Sequence, residues 1–449
     1  MAARTPRKAA SGAGALKRRG VRIAHVAIPD LDASLRERRL ALDDVDAAFG
    51  PDATFVNVVH KWDTGESVYG AAPFVGEAMT VDWDSARTYP FEPDAAIVFA
   101  DFAGPSAALS PRELLKAQIA RAAKMGFTVK AALEFEFHML DESAETLRAK
   151  GYEAMDTFAV DNRCWSSQTA AIHGDTVGDL EQVMETAGVG LFGLGLELGP
   201  GCFEATLRAA DPLRAADDAV LFKTFTKAFA RRRGLTATFM AQLGASFSGL
   251  SGHVHLSLWD AKTGKPLFHD GKDKDGMSTT MRRAIAGLVD LTPEALALAA
   301  HTVNAYRRLT PGNWAPRTAT WAVQNYAAAV RAVPSPAQWA RLEFRLPASD
   351  TNPYLALALT LGAALEGIAT KASLPPPIEK GGPDETPEGL PGLPHDLLEA
   401  ADRLDGSAKA RAIFGDTFVD YFVASRRHEE AVLRKHVSAF ERARYIEAV

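Results

Sequence analysis

The segment Leu133-Glu134-Phe135-Glu136-Phe137 alternates apolar and acidic residues with a period of two. Successive side chains of a β-strand point to opposite faces, so the aromatic face is the buried one and Glu134 and Glu136 stand together on the other. Three further segments carry polar residues in the same way. In His253-Val254-His255-Leu256-Ser257, two imidazoles and a hydroxyl share a face, and in Arg341-Leu342-Glu343-Phe344-Arg345 a carboxylate lies between two guanidinium groups. The stretch Leu194–Leu198 brings Glu197, and Glu204 follows the turn Gly199-Pro200-Gly201. One such strand alone reads as solvated surface. Four in one chain predict a sheet that gathers carboxylates and imidazoles on one face, where repulsion between like charges favours bound cations. Carboxylates with few imidazoles suit Mg²⁺ or Mn²⁺ better than zinc. On the residues alone, a divalent-metal site that handles phosphate and a merely solvated sheet face both stand open.

The surrounding chain sets this sheet in an α+β unit. Ser110-Pro111-Arg112-Glu113 predicts a helix start, with Ser as N-cap, Pro in the first turn and Glu closing a capping box; the helix runs to Lys124 and stops at Gly126. A second helix begins at Asp211-Pro212, carries an apolar stripe of Leu213, Ala216, Val220, Ala228 and Phe229, and ends at Arg233-Gly234. Before them, Val21–Val26, Thr54–Val59 and Ala95–Phe99 are short apolar runs separated by Gly, Pro and Asp. They predict a small, mostly β unit over residues 21–104, joined at Gly104-Pro105-Ser106 to a larger unit over 105–449. Leu374 to Pro394 is dense in Pro and Gly and reads as a surface excursion, followed by a helical C-terminal section around Phe418, Tyr421 and Phe422.

Composition narrows the function. A chain of 449 residues exceeds one ordinary core, which agrees with two units. It is 47% hydrophobic and 24% charged, and no apolar run approaches the roughly 20 residues that cross a bilayer. A net charge of -6 argues against a nucleic-acid partner. Two cysteines, Cys164 and Cys202, suit a reducing cytoplasm rather than a disulfide framework. Residues 1–20 are basic, without an acidic residue, and lack the apolar core of a secretory signal. They read as a disordered basic tail or as an organelle transit peptide.

Taken in order, these segments resemble the glutamine synthetases and their γ-glutamyl-amine ligase relatives. The matching stretches include Glu134–Phe137, Glu197–Glu204, Ser251–Ser257, Asn304–Gly312, Arg341–Arg345 and Asn352-Pro353-Tyr354. The resemblance implies a β-grasp-like N-terminal domain, a large catalytic domain with an antiparallel sheet and helices, and a homo-oligomeric double ring, expected as a dodecamer, with active sites between subunits. It implies ATP and two to three Mg²⁺ or Mn²⁺ ions. By position, Glu136, Glu197 and Glu204 would hold one metal, and Glu134, His253 and Glu343 the second. Arg308 and Arg345, with Ser248 and Gly249, would meet the amino-acid substrate, while Arg331 would face the phosphates. His255, Ser257 and Arg341 fall where the nucleotide would lie.

The chain also departs from the family pattern. The family's flap glutamate, which helps deprotonate ammonium, is replaced by Trp314 in Pro311-Gly312-Asn313-Trp314-Ala315-Pro316. Tyr326 replaces an arginine, Cys202 a glutamine and Ser248 an asparagine, and Asp63 aligns only roughly with an amine-site aspartate. An indole takes no proton but can pack on an organic amine or hold an alkylammonium. The expectation is therefore an ATP-dependent ligase that joins a glutamate-like acid to an organic amine, in nitrogen metabolism or amine catabolism. Ordinary glutamine synthesis and a catalytically impaired, ring-forming nucleotide binder are the alternatives.

Overall fold

The computed structural model describes residues 12–49, 54–70, 73–161, 163–378 and 392–449. Two sheets organise them. The N-terminal sheet has five strands, in the spatial order Leu35–Ala41, Ile23–Pro29, Ala95–Phe102, Gly76–Thr88 and Thr54–Val56. Its central pair, Ile23–Pro29 and Ala95–Phe102, is parallel, and the other pairings are antiparallel. These central strands are buried on both faces, which explains their unbroken apolar runs. Val26, Ile28, Val98 and Ala100 pack into the N-terminal unit's own core, whereas Ala27, Ile97 and Phe99 join the core of the larger unit. The two units thus share a sheet wall.

The expected tail over residues 1–20 is corrected in its second half. Ala13–Arg18 is a short helix, and its Leu16 is buried in the N-terminal core. An apolar side chain with such a pocket gains from burial what a polar tail cannot. The rest of that segment, residues 1–11, lies outside the described residues, as do 379–391 of the expected proline-rich excursion.

The larger unit is built on an eight-stranded, mostly antiparallel sheet. At its centre, Phe127–Leu140 pairs with Gly252–Asp260 on one side and Cys202–Leu207 on the other. Beyond Gly252–Asp260 lie Arg341–Phe344, then Val330–Val333 and Trp321–Val323. The predicted helices appear as Pro111–Lys124, with the Ser110 side chain accepting from the Glu113 N–H, and Pro212–Arg232. The second packs Phe222 against Phe135 and Phe137, so the aromatic side of the central strand faces helices and core. Its opposite side is left open for the acidic residues.

Candidate active site

Strand register assembles the polar face. Glu134 stands opposite His253, Glu136 opposite Glu204, and His255 opposite Glu343, which in turn faces Arg331. Directly opposed residues of antiparallel strands share a face with their Cβ atoms a few ångströms apart, so the pairings make one continuous polar floor. This floor lines a cleft of about 860 Å³.

Two groups of acids meet there. Glu134 Oε1 lies 2.9 Å from His253 Nδ1, and Glu134 accepts from Thr206 Oγ1 at 2.9 Å. The same His253 nitrogen lies 3.7 Å from Glu343 Oε1. Arg331 donates to Glu343 Oε2 at 2.8 Å, and Arg345 donates to its other oxygen. Glu134, His255 and Glu343 also offer donor atoms within 4.8 Å of one another. The two imidazoles differ in what they can give. Arg341 Nε donates to His255 Nδ1 at 3.2 Å, which leaves the proton of a neutral His255 on Nε2. His253 presents one nitrogen to both carboxylates, and burial holds its pKa down at about 4, with Arg345 adding to the effect, so the ring is neutral near pH 7. Neutral imidazole is the form that binds a metal.

In the second group, Glu136 accepts from the Ser251 N–H, and Glu197 accepts from Cys164 Sγ at 3.0 Å and Trp165 Nε1 at 3.0 Å. Burial, with the charge of Glu197 adding to it, raises the Glu136 pKa to about 7. Burial again, followed by the charges of Glu134, Glu136 and Glu197, pushes Glu204 up to about 9. Glu343 behaves oppositely: burial opposes its charge, but the surrounding His255, His253, Arg345 and Arg331 keep its pKa at about 2. Carboxylates crowded until they compete for protons are an oxygen-rich donor set that hard divalent cations fit.

Most of the residues singled out in the sequence line this cleft, including Ser248, Gly249, Trp314 and Tyr326. The Tyr326 ring lies 3.9 Å from the Arg331 guanidinium carbon and 5.3 Å from that of Arg345. Four of them sit elsewhere, Cys202 among them, buried in the strand Cys202–Leu207. Arg308, expected to meet the amino-acid substrate, is fully buried below the lining, donating to Leu346 O at 3.0 Å and Ser251 Oγ at 2.8 Å. Ser257 accepts from Trp259 Nε1 at 3.0 Å and lies outside the lining. Asp63 is buried in the N-terminal unit, taken up by the Gly65 and Ser67 N–H groups and by His428 Nε2 at 2.9 Å. Conversely, Cys164 and Trp165 line the cleft although no sequence pattern marks them.

The geometry agrees with comparison to known proteins. The family described as "Glutamine synthetase, catalytic domain" matches residues 108–445. The chain belongs to the glutamine synthetase family. Among curated relatives, type-1 glutamine synthetase 2 of Dictyostelium discoideum is 33% identical, covering 94% of this chain and 83% of its own length. A glutamate–isopropylamine ligase of Pseudomonas sp is 32% identical over 88% of each protein. A solved structure described as a GmaS/ADP complex superposes with a TM-score of 0.85 at 27% identity, covering 97% of this chain and 99% of that one. Membership makes the protein a ligase of the glutamine synthetase type.

Proposed function

We propose that this ligase uses ATP and divalent cations to join the side-chain carboxylate of glutamate, or a glutamate-like acid, to an organic amine. The observation that carries the reading is the pairing of a complete acid-and-imidazole floor with Trp314, a residue without acid–base function, in the lining of the same cleft. The relative named glutamate–isopropylamine ligase and the GmaS/ADP complex support it. In this reading Glu134, His253 and Glu343 hold one cation, and Glu136, Glu197 and Glu204 another. Bound there, the cations neutralise charge that develops on the transferred phosphoryl group.

The chain's own residues do the rest. Arg345 and Arg331 lie beside Glu343, where they can meet anionic oxygens of the acid and the phosphates. Arg341 and His255, bonded to each other, border the nucleotide end. The acid's carboxylate attacks the γ-phosphate with loss of ADP, and the neutral amine nitrogen then displaces phosphate from the acyl phosphate, its surplus proton leaving to the phosphate or to water. Arg308, buried under the floor, acts as a strut that fixes Ser251 and the backbone around Arg345. Homo-oligomeric rings, as in the family, complete the proposal.

Ammonium is the second reading, favoured by the relative named type-1 glutamine synthetase 2. Phosphate release from purified protein with ATP, Mg²⁺ and glutamate, compared across ammonium and organic amines, separates the two. Stimulation by organic amines well above ammonium supports the proposal; ammonium as the best substrate overturns it.

A further inference from the structure

Two tryptophans line the cleft with their side chains largely in the open. Trp165 is 78% exposed and Trp314 is 62% exposed. Both sit at positive φ, +55° and +52°, a region that bulky side chains rarely occupy. Such conformations persist where the surrounding structure holds them, and they concentrate at functional sites. A chain of contacts links the segments that carry the two indoles. Asn313, next to Trp314, packs against Gly249, whose added Cβ would lie 3.4 Å from the Asn313 Cβ. Ser248 donates to Leu198 O, and the preceding Glu197 accepts the Trp165 indole N–H. Leu198 is itself an exposed apolar side chain on the lining.

The charges nearby are already engaged. Glu197 uses Oε2 for Trp165 and Oε1 for Cys164 and the Leu198 N–H. The remaining lining carboxylates lie on the strand floor, in the groups assigned to cations. Among the described residues, the lining therefore offers large apolar faces and no carboxylate outside these groups for a second ammonium group.

We infer that Trp165 and Trp314 form an aromatic jaw that selects primary monoamines with an apolar body over diamines and hydroxyalkyl amines. The inference rests on the ligase reading above and names the substrate class of that site. Indole faces pack on a hydrocarbon body at little entropic cost, since a tryptophan has only two side-chain torsions. A distal hydroxyl pressed against them loses water without gaining a partner, and a distal ammonium gains only a cation–π contact, weaker than the hydration it gives up. Trp165 is a specificity-determining residue that the family motifs leave unmarked.

The test compares kcat/KM of the intact oligomer for isobutylamine and benzylamine with that for putrescine and ethanolamine, using ATP, Mg²⁺ and glutamate. Wild type is expected to favour the apolar amines by about ten-fold or more, the scale on which apolar pockets discriminate. Trp165→Ala and Trp314→Ala should collapse that ratio, which is insensitive to a general loss of activity. Trp165→Phe, which keeps an aromatic face but loses the N–H, should retain it. Equal use of putrescine or ethanolamine by wild type overturns the jaw while leaving the ligase intact. An unchanged ratio in Trp165→Ala, with or without dissociation of the oligomer, removes Trp165 from specificity. Absence of ADP release with every amine removes the ligase reading itself.

Discussion

Arg331 donates a 2.8 Å hydrogen bond to Oε2 of Glu343, and the two residues stand opposite each other on neighbouring strands. The carboxylate is buried, with Arg345 on its other oxygen. Glu343→Ala should abolish metal-dependent turnover, by more than about 100-fold, because it removes a proposed ligand and leaves two guanidinium groups without their shared counter-charge. Mn²⁺ binding followed by electron paramagnetic resonance should weaken in parallel. Near-wild-type turnover with unaltered Mn²⁺ affinity would overturn the assignment of Glu343.

Trp314 tests the amine side of the site. Restoring a carboxylate there, as Trp314→Glu, supplies a group that can attract and deprotonate ammonium and removes an apolar face. The ratio of kcat/KM for ammonium to that for an alkylamine should rise by about ten-fold or more. An unmoved ratio would mean that this position does not set amine preference.

The acidic floor was legible in the sequence because strand geometry is rigid: a period of two fixes which side chains share a face. Glu134 with Glu136, and His253 with His255, could therefore be placed on shared faces from the sequence alone. Register, which sets Glu134 against His253 and Glu136 against Glu204, depends on long-range pairing that no local pattern carries. The strand Leu35–Ala41 escaped notice because it is an edge strand rich in arginine, with little apolar alternation to announce it. Cys164 and Trp165 lie in a loop, where no periodicity exists to reveal direction. Motif position identified Arg308 but not where its side chain goes, and the buried carbonyls of Leu346 and Arg345 decide that.

The junction of the two units turns on Arg112. Its side chain is fully buried and makes paired hydrogen bonds of 3.0 Å to Asp217, with Asp82 and Asp101 of the N-terminal sheet completing its shell. Tyr354 donates to the same Asp217 at 2.7 Å. One cation thus links helix Pro111–Lys124, helix Pro212–Arg232 and the N-terminal sheet. Arg112→Met keeps much of the volume but leaves several carboxylates facing one another, and should cost about 3–5 kcal/mol. Urea unfolding of the variant should show this loss, or an early transition of the N-terminal unit. A midpoint within experimental error of wild type would mean that the cluster is neutral in net stability.

Two buried histidines make a prediction about acid. His60 packs its edge on Phe102, has no partner for Nδ1, and is held at a pKa of about 4 by burial, against which Asp101 and Glu77 act. Burial likewise lowers His301 to about 3, despite the nearby Asp32. An unfolded histidine titrates near 6.5, so between that value and the folded pKa the unfolded chain binds more protons. The stability each neutral ring preserves is complete above pH 6.5 and is lost as pH falls toward 4. For His60 the loss is at most about 3 kcal/mol. Buried carboxyls with raised pKa, such as Asp30 at about 6, push the other way, so only the difference between a variant and wild type isolates the histidine. The thermal midpoint of His60→Leu should fall less than that of wild type between pH 7 and pH 5. Parallel curves would mean that protonation of His60 does not contribute to acid unfolding.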